Sequence, residues 1–92
     1  MNSHGTLYIN GETRTCELLY SYLNYTGFSN TTQDITFFQS AIPDPYKPKA
    51  KVLTSGTYPT IHIWIDNEGD IYARSSIQAS SVNMIFSAVW HY

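Results

Sequence analysis

The chain has 92 residues, of which 42% are hydrophobic and 15% aromatic, while only 13% are charged and five Lys and Arg stand against seven Asp and Glu. That length holds one domain, residues 1–92, with a modest core. The absence of a basic excess excludes a phosphate-backbone footprint, so no nucleic acid is expected as a partner.

Thr6–Asn10 and Glu12–Tyr25 read as two strands. Asn10-Gly11 between them is a strong hairpin signal, since both residues accept positive φ. Cys16–Leu23 would tolerate a helix, but Thr13, Thr15, Tyr20, Tyr22 and Tyr25 around it are strand formers. Thr26–Thr32 reads as a polar loop. Gln33–Gln39 is the next strand, with Ile35 and Phe37 on one face. Ile42–Pro48 holds Pro43, Pro45 and Pro48 and cannot be a central strand, because proline lacks the ladder N–H. It reads as an extended crossing between two layers. Lys49–Thr54 resumes a strand and Ser55–Pro59 turns at Gly56.

Thr60–Asp66 alternates, with Ile61, Ile63 and Ile65 on one side and His62, Trp64 and Asp66 on the other. Asp66-Asn67-Glu68-Gly69 fits a type I turn with Gly69 in the left-handed position. Asp70–Ser75 returns as the partner strand, setting Ile71 and Ala73 against Tyr72 and Arg74. After a polar loop at Ser75–Ser81, Val82–Trp90 is the last strand. Its one face is Val82, Met84, Phe86, Ala88 and Trp90. The other, Asn83, Ile85, Ser87 and Val89, is half apolar, as in a sheet centre or at a subunit contact. The predicted fold is all-β: a single antiparallel β-sandwich or barrel of about seven short strands.

Cys16 is the only cysteine, so no internal disulfide forms, and the thiol reads as a small buried apolar group. Met1–Thr6 shows no cationic segment followed by an apolar run, so no signal peptide is expected. No apolar stretch approaches ~18 residues, so no membrane insertion is expected. The N-x-Thr sequons at Asn24 and Asn30 then read as chance matches, and synthesis in a reducing cytosol is expected.

The order of elements after Ile42 resembles a known family. Ile42-Pro43-Asp44-Pro45-Tyr46-Lys47-Pro48 is similar to the hydrophobic-Pro-x-x-Tyr-basic-Pro crossing of bacteriophage tail-fibre and receptor-binding-protein head domains. The hairpin Ile61–Tyr72, with its Asp66–Gly69 turn, follows in the family's order. The chain then ends in an Ile-x-Phe-Ser-x-x-Trp-like strand, here Met84-Ile85-Phe86-Ser87-Ala88-Val89-Trp90. The resemblance covers Ile42 to Tyr92, and Pro45 stands where the family often has Gly. It implies a trimeric head domain in the virion tail, made in the host cytoplasm and joined to other tail proteins. It also implies binding of a host cell-surface saccharide. The alternative is a structural or trimerisation module of a viral fibre or baseplate that binds no ligand.

The candidate ligand site is Trp64 with His62, Asp66, Tyr72 and Arg74, on the face opposite the isoleucines. An aromatic ring offers a platform to a sugar's C–H face, and Asp, His and Arg bond its hydroxyls. The competing reading makes Trp64 and Tyr72 a cross-strand pair that stabilises the hairpin or packs against a sister subunit. Asp66, Glu68 and Asp70 alternate like a calcium loop, but the glycine is misplaced and no bidentate Glu follows, so no metal is expected. His4, His62 and His91 lack ligand spacing. No cofactor is expected. Catalysis is not expected either. Asp34, Asp44, Asp66, Glu68 and Asp70 fall mostly in turns, no G-x-S-x-G element exists, and Cys16 has no histidine nearby in sequence.

Overall fold

Side-chain alternation sorts this chain into two layers. A computed structural model of the protein describes residues 3–56 and 60–92, the Phe37 side chain excepted. The described residues form eight strands: β1 Ser3–Asn10, β2 Thr15–Tyr25, β3 Ile35–Phe38, β4 Val52–Leu53, β5 Ser55–Gly56, β6 Ile61–Ile65, β7 Ile71–Ser75 and β8 Val82–His91. They build two four-stranded antiparallel sheets, ordered β1-β2-β8-β5 and β3-β7-β6-β4. The predicted all-β class holds, and its form is a sandwich rather than a closed barrel.

The extra strand, β5, arises where the Ser55–Pro59 turn was expected, and only Val52–Leu53 of the expected Lys49–Thr54 strand forms. β4 and β5 are two short pieces, one in each sheet. Thr54 makes the switch, its backbone N and its Oγ1 both donating to the Ile63 carbonyl, at 3.3 and 2.9 Å. Gly56 is not a turn residue but pairs with Phe86 inside β5. The rest of the expected Ser55–Pro59 turn, residues 57–59, lies outside the described residues.

The core fills from both inner faces. Ile61, Ile63, Ile65, Ile71 and Ala73 form one wall; Cys16, Leu18, Tyr20, Val82, Met84, Phe86, Ala88 and Trp90 form the other. Each large side chain so buried contributes about 1.5–3 kcal/mol. The predicted alternation of β6, β7 and β8 is therefore met residue by residue. β8 lies inside its sheet, between β2 and β5, with Ile85 and Val89 exposed on the outer face.

The first hairpin departs from expectation. Pairing ends at Asn10 opposite Thr15, leaving the four-residue loop Gly11–Arg14. Positive φ falls on Arg14, at 54°, and on neither Asn10 nor Gly11. Asn10 Oδ1 instead accepts the Glu12 and Thr13 amides at 3.0 and 3.3 Å, folding the loop with its own side chain. This register packs Leu7 on the core opposite Leu18 and sets Ile9 opposite Cys16 on the same face. A two-residue turn at Asn10-Gly11 would have set Arg14 and Glu12 beside Leu7 and Ile9 on that inner face.

Ile42–Pro48 stays out of both ladders, as its prolines require. It does not cross between layers; it runs from β3 to β4, the two edges of one sheet. Pro45 supplies a φ of a 3₁₀ turn, Asp44–Tyr46, and Pro43 precedes it in an extended conformation. This strap closes one end of the sandwich. Ile42 and Pro48 are buried, and the Tyr46 carbonyl accepts Trp90 Nε1–H at 2.7 Å.

The Thr26–Thr32 loop is less polar in structure than in sequence. Phe28 is fully buried, packs on Tyr25, and lends its carbonyl to the Ala79 amide at 2.9 Å. Among the described residues no helix is long and apolar enough to cross a membrane.

Candidate functional site

Antiparallel register decides which side chains share a face, and on the outer face of β3-β7-β6-β4 it lines up two rows. Thr36 pairs with Tyr72, Tyr72 with Trp64 and Trp64 with Leu53, so one row crosses all four strands. His62 pairs with Arg74 in the next row, and Arg74 Nε donates to Asp34 Oδ1, just before β3. The sequence-predicted residues Trp64, His62, Tyr72 and Arg74 are thus brought together on one face. Asp66 follows β6 at the hairpin end.

Trp64 is half-buried and has neighbours on its ring. Tyr72 lies nearly parallel to it, with centroids 5.7 Å apart and planes 12° from each other. The ammonium of Lys51 sits 4.6 Å from the indole centroid, a contact of about 0.5–1 kcal/mol at an exposed site. Beside the indole lies an open cleft of about 480 Å³. Its walls include Asp34, Lys51, Leu53, His62, Trp64 and Arg74.

Electrostatics in the cleft centre on one ion pair. The hydrogen bond from Arg74 holds the Asp34 carboxyl below the usual carboxylate range, and Asp34 in turn raises Arg74. The Tyr72 phenol has a hydrogen bond with Thr36 that favours ionisation. Desolvation and the nearby Asp66 and Asp70 carboxylates outweigh it and push the phenol above its ordinary value. Tyr72 therefore remains a neutral donor and acceptor at physiological pH.

Two of the hairpin carboxylates, Asp66 and Asp70, have backbone tasks. Asp66 Oδ1 accepts the amides of Glu68 and Asp70, each at 3.0 Å. Asp70 is buried, contrary to a fully solvated hairpin tip, and its Oδ1 accepts the Ser40 amide at 2.7 Å. The carboxylate oxygens of Asp66, Glu68 and Asp70 lie within 4.8 Å of one another, and the bonds of Asp66 and Asp70 hold the turn and the approach to the strap. Cys16 is fully buried, and desolvation pushes its thiol up, away from nucleophile chemistry.

Sequence reasoning missed Asp34, Lys51, Leu53 and Thr36. Asp34, just before β3, shares a parity with Thr36, and Lys51, just before β4, shares one with Leu53. What the sequence lacks is the pairing of β3 with β7 and of β4 with β6, which brings those positions beside Trp64. The cleft reaches past the outer face: Ile61, Ile63, Met84 and Ile85 line it with Trp64 and Leu53, beside one carboxylate, two cations and one imidazole. That set can bind a polyhydroxylated ligand. No family model matches this chain, and neither curated proteins nor solved structures give a significant match.

Proposed function

We propose that this domain binds a saccharide on the outer face of β3-β7-β6-β4, as the receptor-reading head of a phage tail fibre. One observation carries the binding: Trp64 and Leu53 border a cleft in which His62, Arg74 and Asp34 stand within reach of the same ligand. A sugar ring lays its C–H face on the indole and Leu53, displacing the exposed Lys51 ammonium. Asp34 and His62 then accept and donate to its hydroxyls, while Arg74 stays anchored on Asp34. The resemblance of Ile42–Tyr92 to fibre heads supplies the setting, a host cell-surface glycan.

A glycan array probed with the whole chain tests the reading. Trp64→Ala should weaken the best glycan at least tenfold, ~1.4 kcal/mol. His62→Ala, an exposed change, should weaken it while keeping the parent circular dichroism. Binding unchanged in both variants would place the site elsewhere.

The second reading, a structural module without ligand, draws on Tyr72 and Lys51 already lying against Trp64. An array with no bound glycan would favour it.

A further inference from the structure

Sheet edges carry backbone donors and acceptors that pair with another strand unless something prevents it. The four edges of this sandwich are unlike one another. β4 and β5 have two residues each, and β3 has four and carries a register irregularity. β1 has eight residues and pairs with β2 in unbroken register. On its other side no described strand pairs with it, and no described loop backbone bonds to it. Its sequence, Ser3-His4-Gly5-Thr6-Leu7-Tyr8-Ile9-Asn10, holds no lysine, arginine, carboxylate or proline. Among the described residues, none of the common guards against edge pairing is present.

A second feature lies along the same edge. On its inner side is an apolar cleft of about 320 Å³, walled by Gly5, Leu7, Tyr20, Phe38, Ala41 and Ile71. Gly5 admits the Tyr20 ring to this wall, because the ring lies 2.5 Å from where a Cβ would stand.

We propose that β1 pairs antiparallel with β1 of a second copy, about a two-fold axis at Thr6, joining two four-stranded sheets into one of eight. In an antiparallel pair, opposed residues share a face. On the inner face this axis sets Leu7 against the partner's Gly5 and Ile9 against the partner's Ser3, large against small. The partner's Leu7 and the partner's Ile9 then lie at the mouth of the apolar cleft. On the outer face Tyr8 meets the partner's His4, and Thr6 meets its own counterpart. The strand is complementary to itself in size and carries no charge to repel its copy, which is why the occupant is a second copy rather than a foreign strand. The contact is independent of the saccharide face, and its two-fold symmetry differs from the threefold assembly that the fibre resemblance implies.

Light scattering and sedimentation on the intact chain, from low to high micromolar, should show a reversible mass of two chains. Thr6→Cys should form a disulfide-linked dimer on mild oxidation, since Thr6 lies on the axis. Asn30→Cys, an exposed control, should not, and the buried Cys16 should stay silent in both. The double variant His4→Lys, Tyr8→Lys changes two exposed side chains and sets lysine opposite lysine twice. It should weaken the dimer by about tenfold or more while circular dichroism stays that of the parent. A mass of one chain at high micromolar concentration, or of three chains, would overturn the proposal. So would a dimer that ignores the lysine pair and gives no Thr6→Cys cross-link.

Discussion

Gly69→Val tests the turn that anchors the strap to the β6–β7 hairpin. Gly69 has φ 81°, a region that costs a β-branched residue about 1–3 kcal/mol. A Cβ there would stand 3.0 Å from the Ile42 carbonyl oxygen, 3.2 Å from Ile42 Cβ and 3.3 Å from Lys47 Cε. Lys47 can swing away, but Ile42 cannot. Its side chain is buried, and its amide and that of Ala41 both donate to the Gly69 carbonyl, at 3.2 and 2.9 Å. Relief therefore needs the strap to shift and stretch those bonds, about 0.5–1.5 kcal/mol each. The sum is about 3 kcal/mol. At about 4–8 °C per kcal/mol for a domain of this size, the thermal midpoint should fall by at least ~10 °C. Gly69→Asn separates the causes, because asparagine tolerates positive φ yet keeps the Cβ contact, and should lose about half as much. Calorimetry on the three proteins decides. A Gly69→Val midpoint within ~3 °C of the parent would refute both the turn geometry and the anchoring of the strap.

Trp90→Phe removes the Nε1–H donor and leaves the Tyr46 carbonyl short of a partner. Urea unfolding should show a loss of about 1–3 kcal/mol with little change in slope, and an unchanged midpoint would mean the strap is not held from β8. Asp34 titrates below the usual carboxylate range because of Arg74. The stability it contributes is complete above the ordinary value of about 3.9 and is lost as pH falls through the lower folded value. Melts of Asp34→Asn should therefore differ from the parent above that window and converge with it in stronger acid, and parallel curves throughout would contradict the ion pair.

The period-two alternation of the last three long strands made most of the core readable. Ile61, Ile63, Ile65, Ile71, Ala73 and the odd–even split of Val82–Trp90 need no tertiary knowledge to assign to a face. Gly69 was legible for a similar reason, since few residues other than glycine suit that position of the turn. The first hairpin was not, because a local turn preference at Asn10-Gly11 competes with a nonlocal pairing that sets Leu7, packed on the core, opposite Leu18, and that pairing wins. Phe28 hides in a polar loop because one buried ring among Gly, Ser, Thr and Asn has no periodicity to reveal it. Of the candidate site, Trp64, His62, Tyr72 and Arg74 follow from the hairpin alone. Asp34, Lys51 and Leu53 arrive through pairings between distant segments, which composition and spacing do not encode.

The two outer faces of the sandwich are chemically different although their inner faces are equally apolar. On β3-β7-β6-β4 the outward row mixes Trp64, Tyr72 and Leu53 with His62, Arg74 and Asp34, and its charged groups are already paired or resting on a ring. On β1-β2-β8-β5 the outward positions include Tyr8, Leu19, Ile85 and Val89, each more than 40% exposed, beside an edge with no charge at all. A low charge content thus has two separate physical uses. On the first sheet the few charges are paired or rest on a ring, so a polyhydroxylated ligand need move only the exposed Lys51 ammonium. On the second, low charge content removes the repulsion that would otherwise keep a long free edge from its copy. Because Trp64 stands in one sheet and the β1 edge in the other, a variant at Trp64 should leave the mass unchanged, and one at His4 and Tyr8 should leave glycan binding unchanged. Coupling between the two measurements would show instead that a ligand site is completed only at a subunit contact.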